Sequence, residues 1–266
     1  MNIIVCIKQV PETGNVKINP ETNTLIREGV KSIINPFDMY AIEEGLRLKD
    51  KFGGKVIVVT MGPPQAESAL REALALGVDE VVLITDRAFA GSDTWATSYI
   101  LSRAIKRLAP FDLVICGKQA SDGDTAQVGP GIAVQLDLPQ VTFVKKIESI
   151  EKGYVVVERL TEEGFEAIKS PLPVLLTVVK EINEPRLPSL RHMMRSRQAQ
   201  IRKFSLGDLE LDKAKIGLDG SPTQVMKIFT PPSREKGVIF EGEPQEVAEK
   251  LVTALKDAVL QAKSHK

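Results

Sequence analysis

The residues best suited to chemistry lie in one polar loop between two apolar runs. The loop reads Gly117-Lys-Gln-Ala-Ser-Asp-Gly-Asp-Thr-Ala-Gln-Val-Gly-Pro130, and apolar runs flank it at 113–116 and 132–136. This order predicts a strand, a turn and a helix, and parallel α/β folds bind ligands where strands lead into helices. Free N–H groups and the helix dipole favour a phosphate there, and small residues let the backbone approach it. The loop is therefore a candidate phosphate site, although glycine and aspartate are also common in ordinary turns.

Other kinds of site find little support in the sequence. No G-x-G-x-x-G follows a predicted strand, and neither a P-loop nor a G-x-S-x-G elbow is found. The two histidines, His192 and His265, are too few for a metal site or a Ser-His-Asp arrangement. Asp122 and Asp124 flank a glycine, where such side chains usually cap a turn. We predict no catalytic side chain, so any redox chemistry would come from a bound cofactor.

Composition excludes several classes of protein. The 266 residues, 43% of them hydrophobic, suffice for one large α/β domain or two small ones. Lys and Arg balance Asp and Glu at 35 each, so no overall charge points to nucleic acid. Cys6 and Cys116 lie in apolar runs and are predicted to be free thiols of a reducing compartment. The short N-terminal apolar run is predicted to be a first strand, neither a signal peptide nor a membrane span, so we expect a cytoplasmic protein.

Strand and helix patterns alternate through the first half of the chain. Continuous apolar runs predict strands at 3–7, 56–59, 81–84 and 113–116, and helical periodicity predicts helices at 64–76 and 92–108. A further helix should begin at Asn35 as the N-cap, with Pro36 in its first turn and Asp38 complementing the dipole. The fold class is therefore α/β, a doubly wound parallel sheet with helices on both faces.

The second half is predicted to differ. β-rich segments at 141–144, 154–158, 165–169 and 174–179 indicate a small antiparallel extension, a hairpin or meander, of the same domain. From Asn183 the chain should be irregular, with six basic and no acidic residues between Glu184 and Asp208. The last element is a helix from near Pro244, which could pack on a partner subunit or on its own sheet. Its apolar stripe comprises Val247, Leu251, Leu255, Ala258 and Val259.

Five motifs occur in order along the chain: Val5-Cys-Ile-Lys8, Ile34-Asn-Pro-Phe-Asp38, Met61-Gly-Pro-Pro64, Gly117-Lys-Gln-Ala120 with the Asp-Gly-Asp-Thr-Ala-Gln that follows, and Asn183-Glu-Pro-Arg186. Taken together, they resemble the β subunit of electron transfer flavoproteins. The resemblance covers nearly the whole chain. It implies an adenine-nucleotide-binding fold, similar to the adenine nucleotide alpha hydrolases, in a heterodimer with an α subunit that carries its own FAD.

The resemblance also implies the nucleotide contacts, position by position. They are Cys6, Asn35, Pro36, Phe37, Asp38, Met61, Gly117, Lys118, Gln119, Ala120, Ser121, Asp122, Gly123, Asp124, Thr125, Ala126, Gln127 and Val128. The regions implied are a nucleotide- or flavin-binding domain with its β extension over 1–182, a basic recognition loop over 183–207, and a C-terminal arm and helix over 208–266 that docks on the α subunit.

Two branches of the family differ in what this cleft holds. Respiratory members hold AMP, whereas bifurcating members hold a second FAD that accepts hydride from NADH and splits the electron pair. The chain resembles the bifurcating branch at 10–13, 92–98 and 122–127. Gly123 would leave room for a diphosphate, and Thr94 and Thr97 could donate to it from a helix N-terminus, a role compatible with helix capping by Ser92, Asp93 or Thr94. AMP remains the alternative ligand.

The resemblance further implies partners. One electron would pass to ferredoxin or flavodoxin, and the other, through the α-subunit FAD, to a flavoenzyme of the acyl-CoA or lactate dehydrogenase type. Residues 183–197 resemble the family's recognition loop, with Leu190 at its anchor leucine; an apolar side chain among arginines suits a partner pocket. The alternative is a solvated basic loop with Leu190 folded inward. The residues predicted to bind the partner are Arg186, Leu190, Arg191, Met194 and Arg195.

Readings outside the family have less support. A nucleic-acid interface is disfavoured because residues 183–197 lack aromatic side chains for stacking. A stand-alone ATP-binding stress-type module would show G-x-x-G followed by G-[ST], which the loop lacks.

Overall fold

A computed structural model describes residues 1–12, 17–18, 25–26, 32–226, 237 and 239–264. Thr13, part of one predicted motif, lies outside them, as do the side chains of Ala258 and Val259. The chain divides into two compact units, 1–228 and 229–266. The first unit carries the sheet and the second carries a helix.

The described part of the chain has thirteen strands, all in the first unit, and nine of them form its main sheet. In chain order the strands are β1 (Asn2–Cys6), β2 (Gln9–Pro11), β3 (Lys17–Ile18), β4 (Leu25–Ile26), β5 (Ser32–Ile34), β6 (Lys55–Met61), β7 (Glu80–Ile84), β8 (Leu113–Gly117), β9 (Gln140–Glu151), β10 (Tyr154–Thr161), β11 (Gly164–Pro171), β12 (Val174–Val178) and β13 (Arg202–Phe204). The sheet order is β11-β10-β9-β12-β8-β1-β6-β7-β13. In the part of the sheet that runs β9-β12-β8-β1-β6-β7-β13, every neighbouring pair is parallel. At the other end, β10 pairs antiparallel with both β9 and β11.

The helices are α1 (Pro36–Phe52), α2 (Glu67–Leu76), α3 (Thr94–Arg107), α4 (Val128–Leu136), α5 (Leu190–Gln198) and, in the second unit, α6 (Pro244–Ser264). Buried side chains of α1 and α2 share one core with Ile3 and Val5 of β1. Those of α3 and α4 share the other core with Ile4. Alternate residues of β1 thus point to opposite layers, as a sheet covered on both faces requires. The predicted doubly wound α/β fold is confirmed.

The topology reverses beside β1. The chain proceeds from β1 to β6 and β7 on one side, and then returns to place β8 on the other side of β1. Cys6 and Cys116 lie directly opposite each other across β1 and β8. Both are buried and free, as predicted. The carboxyl ends of these two strands form the switch point at which open α/β sheets bind ligands.

The antiparallel meander is confirmed, but it is continuous with the main sheet because β9 pairs with β12. Two further antiparallel pairs, β2 with β5 and β3 with β4, come between β1 and α1 in the chain and were not predicted. The prediction of an irregular chain from Asn183 is wrong. Ser189 caps α5 by accepting a bond from His192 N at 3.2 Å, and β13 joins the edge of the sheet beside β7.

The second unit contains the C-terminal helix predicted near Pro244, which is α6. Within its described stripe, Leu251 and Leu255 are exposed, as is the neighbouring Val252. No helix among the described residues combines the length and the apolar character needed to cross a membrane.

Candidate functional site

The candidate site lies at the switch point, where the loop after β8 meets the start of α1. Gly117 ends β8, and the chain then runs through the exposed residues 121–125 into α4. Two residues at the start of α1 hold this loop: Asn35, which is 1% exposed, and Asp38, which is 6% exposed. Their positions were predicted, but their bonding was not.

The sequence predicts that the side chain of Asn35 caps α1, but in the structure it makes no capping bond. Its amide Nδ2 donates to the carbonyl of Gln119 at 2.8 Å, and its Oδ1 accepts from Ser121 N at 3.0 Å. One buried side chain therefore satisfies a donor and an acceptor of the loop. The prediction failed because the amide bonds a segment 84 residues away in preference to the adjacent helix N-terminus.

Asp38, in the first turn of α1, bonds the backbone at the ends of β1 and β8. Its Oδ2 accepts from Lys8 N at 2.7 Å. Burial raises the pKa of this carboxyl group to about 7, although hydrogen bonds from the Lys8 backbone, Asn35 and the Gly117 backbone act to lower it. A Cβ on Gly117 would collide with Asp38 Oδ1 and with the carbonyl carbon of Phe37. Glycine is required there because the first turn of α1 presses against the end of β8.

The centre of the loop faces open space. A Cβ on Gly123 would meet only Lys8 Nζ, at 3.9 Å, among the described atoms. Ala126 adopts a left-handed backbone, φ 55°, which is uncommon for a residue with a side chain and often marks a functional loop. In the described structure the N-cap of α4, Gln127, makes no side-chain capping bond. N–H groups at the start of a helix can bind an anion, and here two residues supply them, Val128 and Gly129, because Pro130 has none.

Two lysines lie near the loop, but only one of them has its ammonium group against it. Lys8, one residue beyond the predicted first strand, lies with its Nζ 2.5 Å from Asp122 Oδ1. Lys118 points elsewhere: its backbone N–H bonds the carbonyl of Val178, and its ammonium lies 5.3 Å from the centre of the Phe143 ring. Lys118 was predicted to contact the nucleotide, whereas Lys8 was identified only as part of the first motif and not as a contact. The position of Lys8 just after a strand at the switch point was the signal.

The other predicted contacts surround this centre. Pro36 is exposed and Phe37 half-buried in the first turn of α1, while Met61 ends β6 with its side chain partly buried. At the start of α3, Asp93 caps the helix by accepting from Ala96 N at 3.0 Å, so the capping alternative is what the structure displays. The hydroxyl group of Thr97 donates to Ser92 O. Contact of Thr94 and Thr97 with a diphosphate stays a prediction.

Helices α3 and α4 are held together beside the loop. Ser98 Oγ donates to Thr94 O at 2.7 Å and to Val128 O at 3.2 Å. A Cβ on Gly131 would collide with Ser98, so this glycine allows the close approach. Ser98 was not predicted as a site residue, yet its bonds fix the starts of both helices relative to each other.

The predicted partner-binding segment has an exposed face and an anchored face. Leu190 and Met194 are 75% and 63% exposed on one side of α5, together with the exposed Arg191. Leu190 is thus not folded inward. On the anchored side, the Arg186 side chain forms ion pairs with the buried Glu43 at 2.7 Å and with Asp50 at 3.0 Å.

Two further arginines fasten α5 to the body of the unit. Arg195 donates to Asp79 O at 2.8 Å, and Arg71 donates to the carbonyl of Ser196 at 2.7 Å. Arg186 and Arg195 therefore position the segment, whereas Leu190, Arg191 and Met194 are free to meet a partner.

The groups around the loop are of kinds that bind anions. No group of three or more His, Cys, Asp or Glu residues suited to a metal ion occurs in the described part of the chain. The loop combines backbone amides, small residues and a lysine, which is the chemistry of nucleotide phosphate sites.

Comparison with known proteins agrees with this geometry. Residues 22–209 match the model of the electron transfer flavoprotein domain. The chain is 54% identical to the electron transfer flavoprotein subunit beta of Thermoanaerobacterium thermosaccharolyticum, over 96% of this chain and 98% of the relative. It is 50% identical to the caffeyl-CoA reductase-Etf complex subunit CarD of Acetobacterium woodii, over 97% and 98%. It is 45% identical to Protein FixA of Azotobacter vinelandii, over 96% and 94%.

Proposed function

The chain belongs to the electron transfer flavoprotein family, with β subunits among its relatives, and we propose that it is a β subunit whose cleft holds FAD. When bound, FAD would supply hydride acceptance from NADH and bifurcation of the electron pair. Its acceptors would be ferredoxin or flavodoxin and, through the α-subunit FAD, a partner dehydrogenase.

The observation that carries the proposal is the open loop at the switch point. A Cβ on Gly123 would meet only Lys8 Nζ among the described atoms, so the backbone there is open to a bound group. The uncapped start of α4 offers N–H groups to the same region. A dinucleotide needs both features, because its two phosphates must lie against backbone amides with little side-chain bulk.

The chain's own residues bind and orient. Asn35 and Asp38 hold the loop and the strand ends, Ser98 fixes α4, and Thr94 and Thr97 are proposed to donate to the diphosphate from α3. A flavin held here would supply the exchange of hydride with NADH and of single electrons with its acceptors. No side chain is proposed as an acid, base or nucleophile.

Partner docking is assigned to the exposed face of α5. Leu190, Met194 and Arg191 are proposed to enter a pocket on a flavin-dependent dehydrogenase, with the arginines steering the approach. The name of one relative, a subunit of a caffeyl-CoA reductase-Etf complex, supports a partner of the acyl-CoA class. The exposed stripe of α6 is proposed to dock on the α subunit. The free thiols of Cys6 and Cys116 support a reducing, cytoplasmic compartment.

The test is a count of cofactors in the purified αβ complex. Ligands are released by denaturation, and FAD and AMP are quantified per heterodimer. Two FAD and no AMP are expected. One FAD and one AMP would reduce this chain to a holder of a structural nucleotide and would refute hydride acceptance in its cleft.

A pair of variants localises the second FAD. Gly123→Asp should remove it, because a carboxylate would occupy the space of a phosphate and repel it. Gly207→Asp is the matched control: a Cβ there also meets only one atom, Ser205 Oγ, at 3.9 Å, and it lies in a turn after β13. Full FAD content in Gly123→Asp would contradict the assignment of this cleft.

A further inference from the structure

Lys8 is placed to act on a ligand of this cleft, although neither the motifs nor the family resemblance assigns it a role. It lies two residues after the end of β1, at the switch point, with its side chain 49% exposed. Its ammonium reaches across to the loop and lies 2.5 Å from Asp122 Oδ1. The same ammonium lies 3.9 Å from where a Cβ of Gly123 would stand. Lys8 thus borders the open space in front of the loop.

As a structural bond, the Lys8–Asp122 pair is weak. Ion pairs between partly exposed side chains typically contribute less than about 1 kcal/mol to stability. The loop is already held by the two bonds of the buried Asn35 amide. The pair is therefore dispensable for the fold, and its position beside Gly123 calls for another explanation.

The charges around the loop supply that explanation. Asp122 and Asp124 both flank Gly123, so an anionic ligand would meet two carboxylates there. Lysine is a compact, strongly hydrated point charge and a common phosphate ligand. Carboxylate and phosphate oxygens are both anionic acceptors, so the two groups can exchange on one ammonium.

We propose that Lys8 binds a phosphate of the nucleotide held in this cleft and that Asp122 competes with that phosphate for the ammonium. The inference rests on the proposed nucleotide-binding function of the cleft. It predicts effects of opposite sign for the two members of the pair, which a merely structural ion pair does not.

The test uses the αβ complex stripped of nucleotide and titrated by calorimetry with ADP and with adenosine. Lys8→Met should weaken ADP binding about tenfold, the typical size of a lost charge-assisted hydrogen bond, and leave adenosine binding unchanged. Asp122→Asn should strengthen ADP binding severalfold. AMP and FAD, titrated in parallel, tell a monophosphate ligand from a dinucleotide.

The matched control is Lys55→Met. Lys55 also pairs with a carboxylate, Glu80, but at the amino-terminal edge of the same sheet, so ADP binding should not change. Thermal unfolding of all three variants should follow the wild type, since each loses only a partly exposed pair.

Three results would overturn the inference. ADP affinity could be unchanged in Lys8→Met, or it could fall alike in Lys8→Met and Asp122→Asn. Either result, with nucleotide binding intact in the wild type, overturns the role of Lys8 alone. A wild-type complex that binds neither ADP nor adenosine would overturn the proposed function of the cleft and this role with it.

Discussion

The buried carboxyl group of Asp38 makes the stability of the protein depend on pH near neutrality. Its pKa is raised from 3.8 to about 7, chiefly by burial. The folded state therefore holds the proton more tightly than the unfolded chain. The free energy of unfolding should fall as pH rises from about 4 to about 7 and level off above that. At 1.36 kcal/mol per pKa unit, the full loss is about 4 kcal/mol.

The part of this loss between pH 5.5 and pH 8 is about 2 kcal/mol by the linkage relation. Denaturant unfolding at the two pH values should show the wild type less stable at pH 8, and Asp38→Asn should remove about that much of the difference. The comparison is between pH slopes, because the asparagine also changes the bond from Lys8 N. Glu44, whose pKa burial also raises, contributes equally to both proteins.

Asp86→Asn is the control for this experiment. Bonds from the backbone of Ala88 and Leu206 lower the pKa of Asp86, so its contribution is lost only below about pH 4. This variant should lose stability at both pH values and keep the wild-type slope. If the unfolding free energy of Asp38→Asn changed with pH as that of the wild type does, the raised pKa of Asp38 would be refuted. The burial of its carboxyl group, which causes the shift, would be refuted with it.

Three further predictions concern single contacts. Gly117→Ala should destabilise the fold by about 1–3 kcal/mol in thermal unfolding, the typical cost of overpacking, whereas Gly123→Ala, with open space at its Cβ, should not. Leu190→Ala should weaken dehydrogenase binding, measured by surface plasmon resonance, at least fivefold with no loss of stability, because the side chain is 75% exposed; undiminished binding would contradict the docking role of α5. Glu43→Gln should leave the Arg186 charge without its buried partner, and proteolysis should then cut the segment around Arg186 faster than in the wild type.

The sequence was most informative where one segment carries its own signal. The run Ile3–Ile7 and the run before Gly117 are apolar throughout, which is the pattern of strands covered on both faces. The polar loop between β8 and α4 is predicted to bind phosphate from its composition and its position between a strand and a helix. Predicting these features needed no knowledge of which strands become neighbours.

Features that depend on distant partners escaped the sequence analysis. Asn35 has the ordinary position of an N-cap, and only the fold reveals that Gln119 and Ser121 claim its amide. β13 has three residues and no pattern of its own, because it is a strand only by pairing with β7. Lys8 was overlooked for the same reason: its partner Asp122 lies 114 residues away.

One helix connects the cleft with the docking segment. Asp38 in the first turn of α1 holds the ends of β1 and β8, and Glu43, about 7.5 Å further along the axis by helix geometry, holds Arg186. Glu44 accepts a bond from Asn183 Nδ2 at 3.0 Å, so consecutive residues of α1 fix the start of the segment. Because a helix is stiff over so short a length, the segment carrying Leu190 starts from a defined distance to the cleft. The buried carboxyl groups of α1 thus set the geometry between the proposed cofactor and the proposed docking surface.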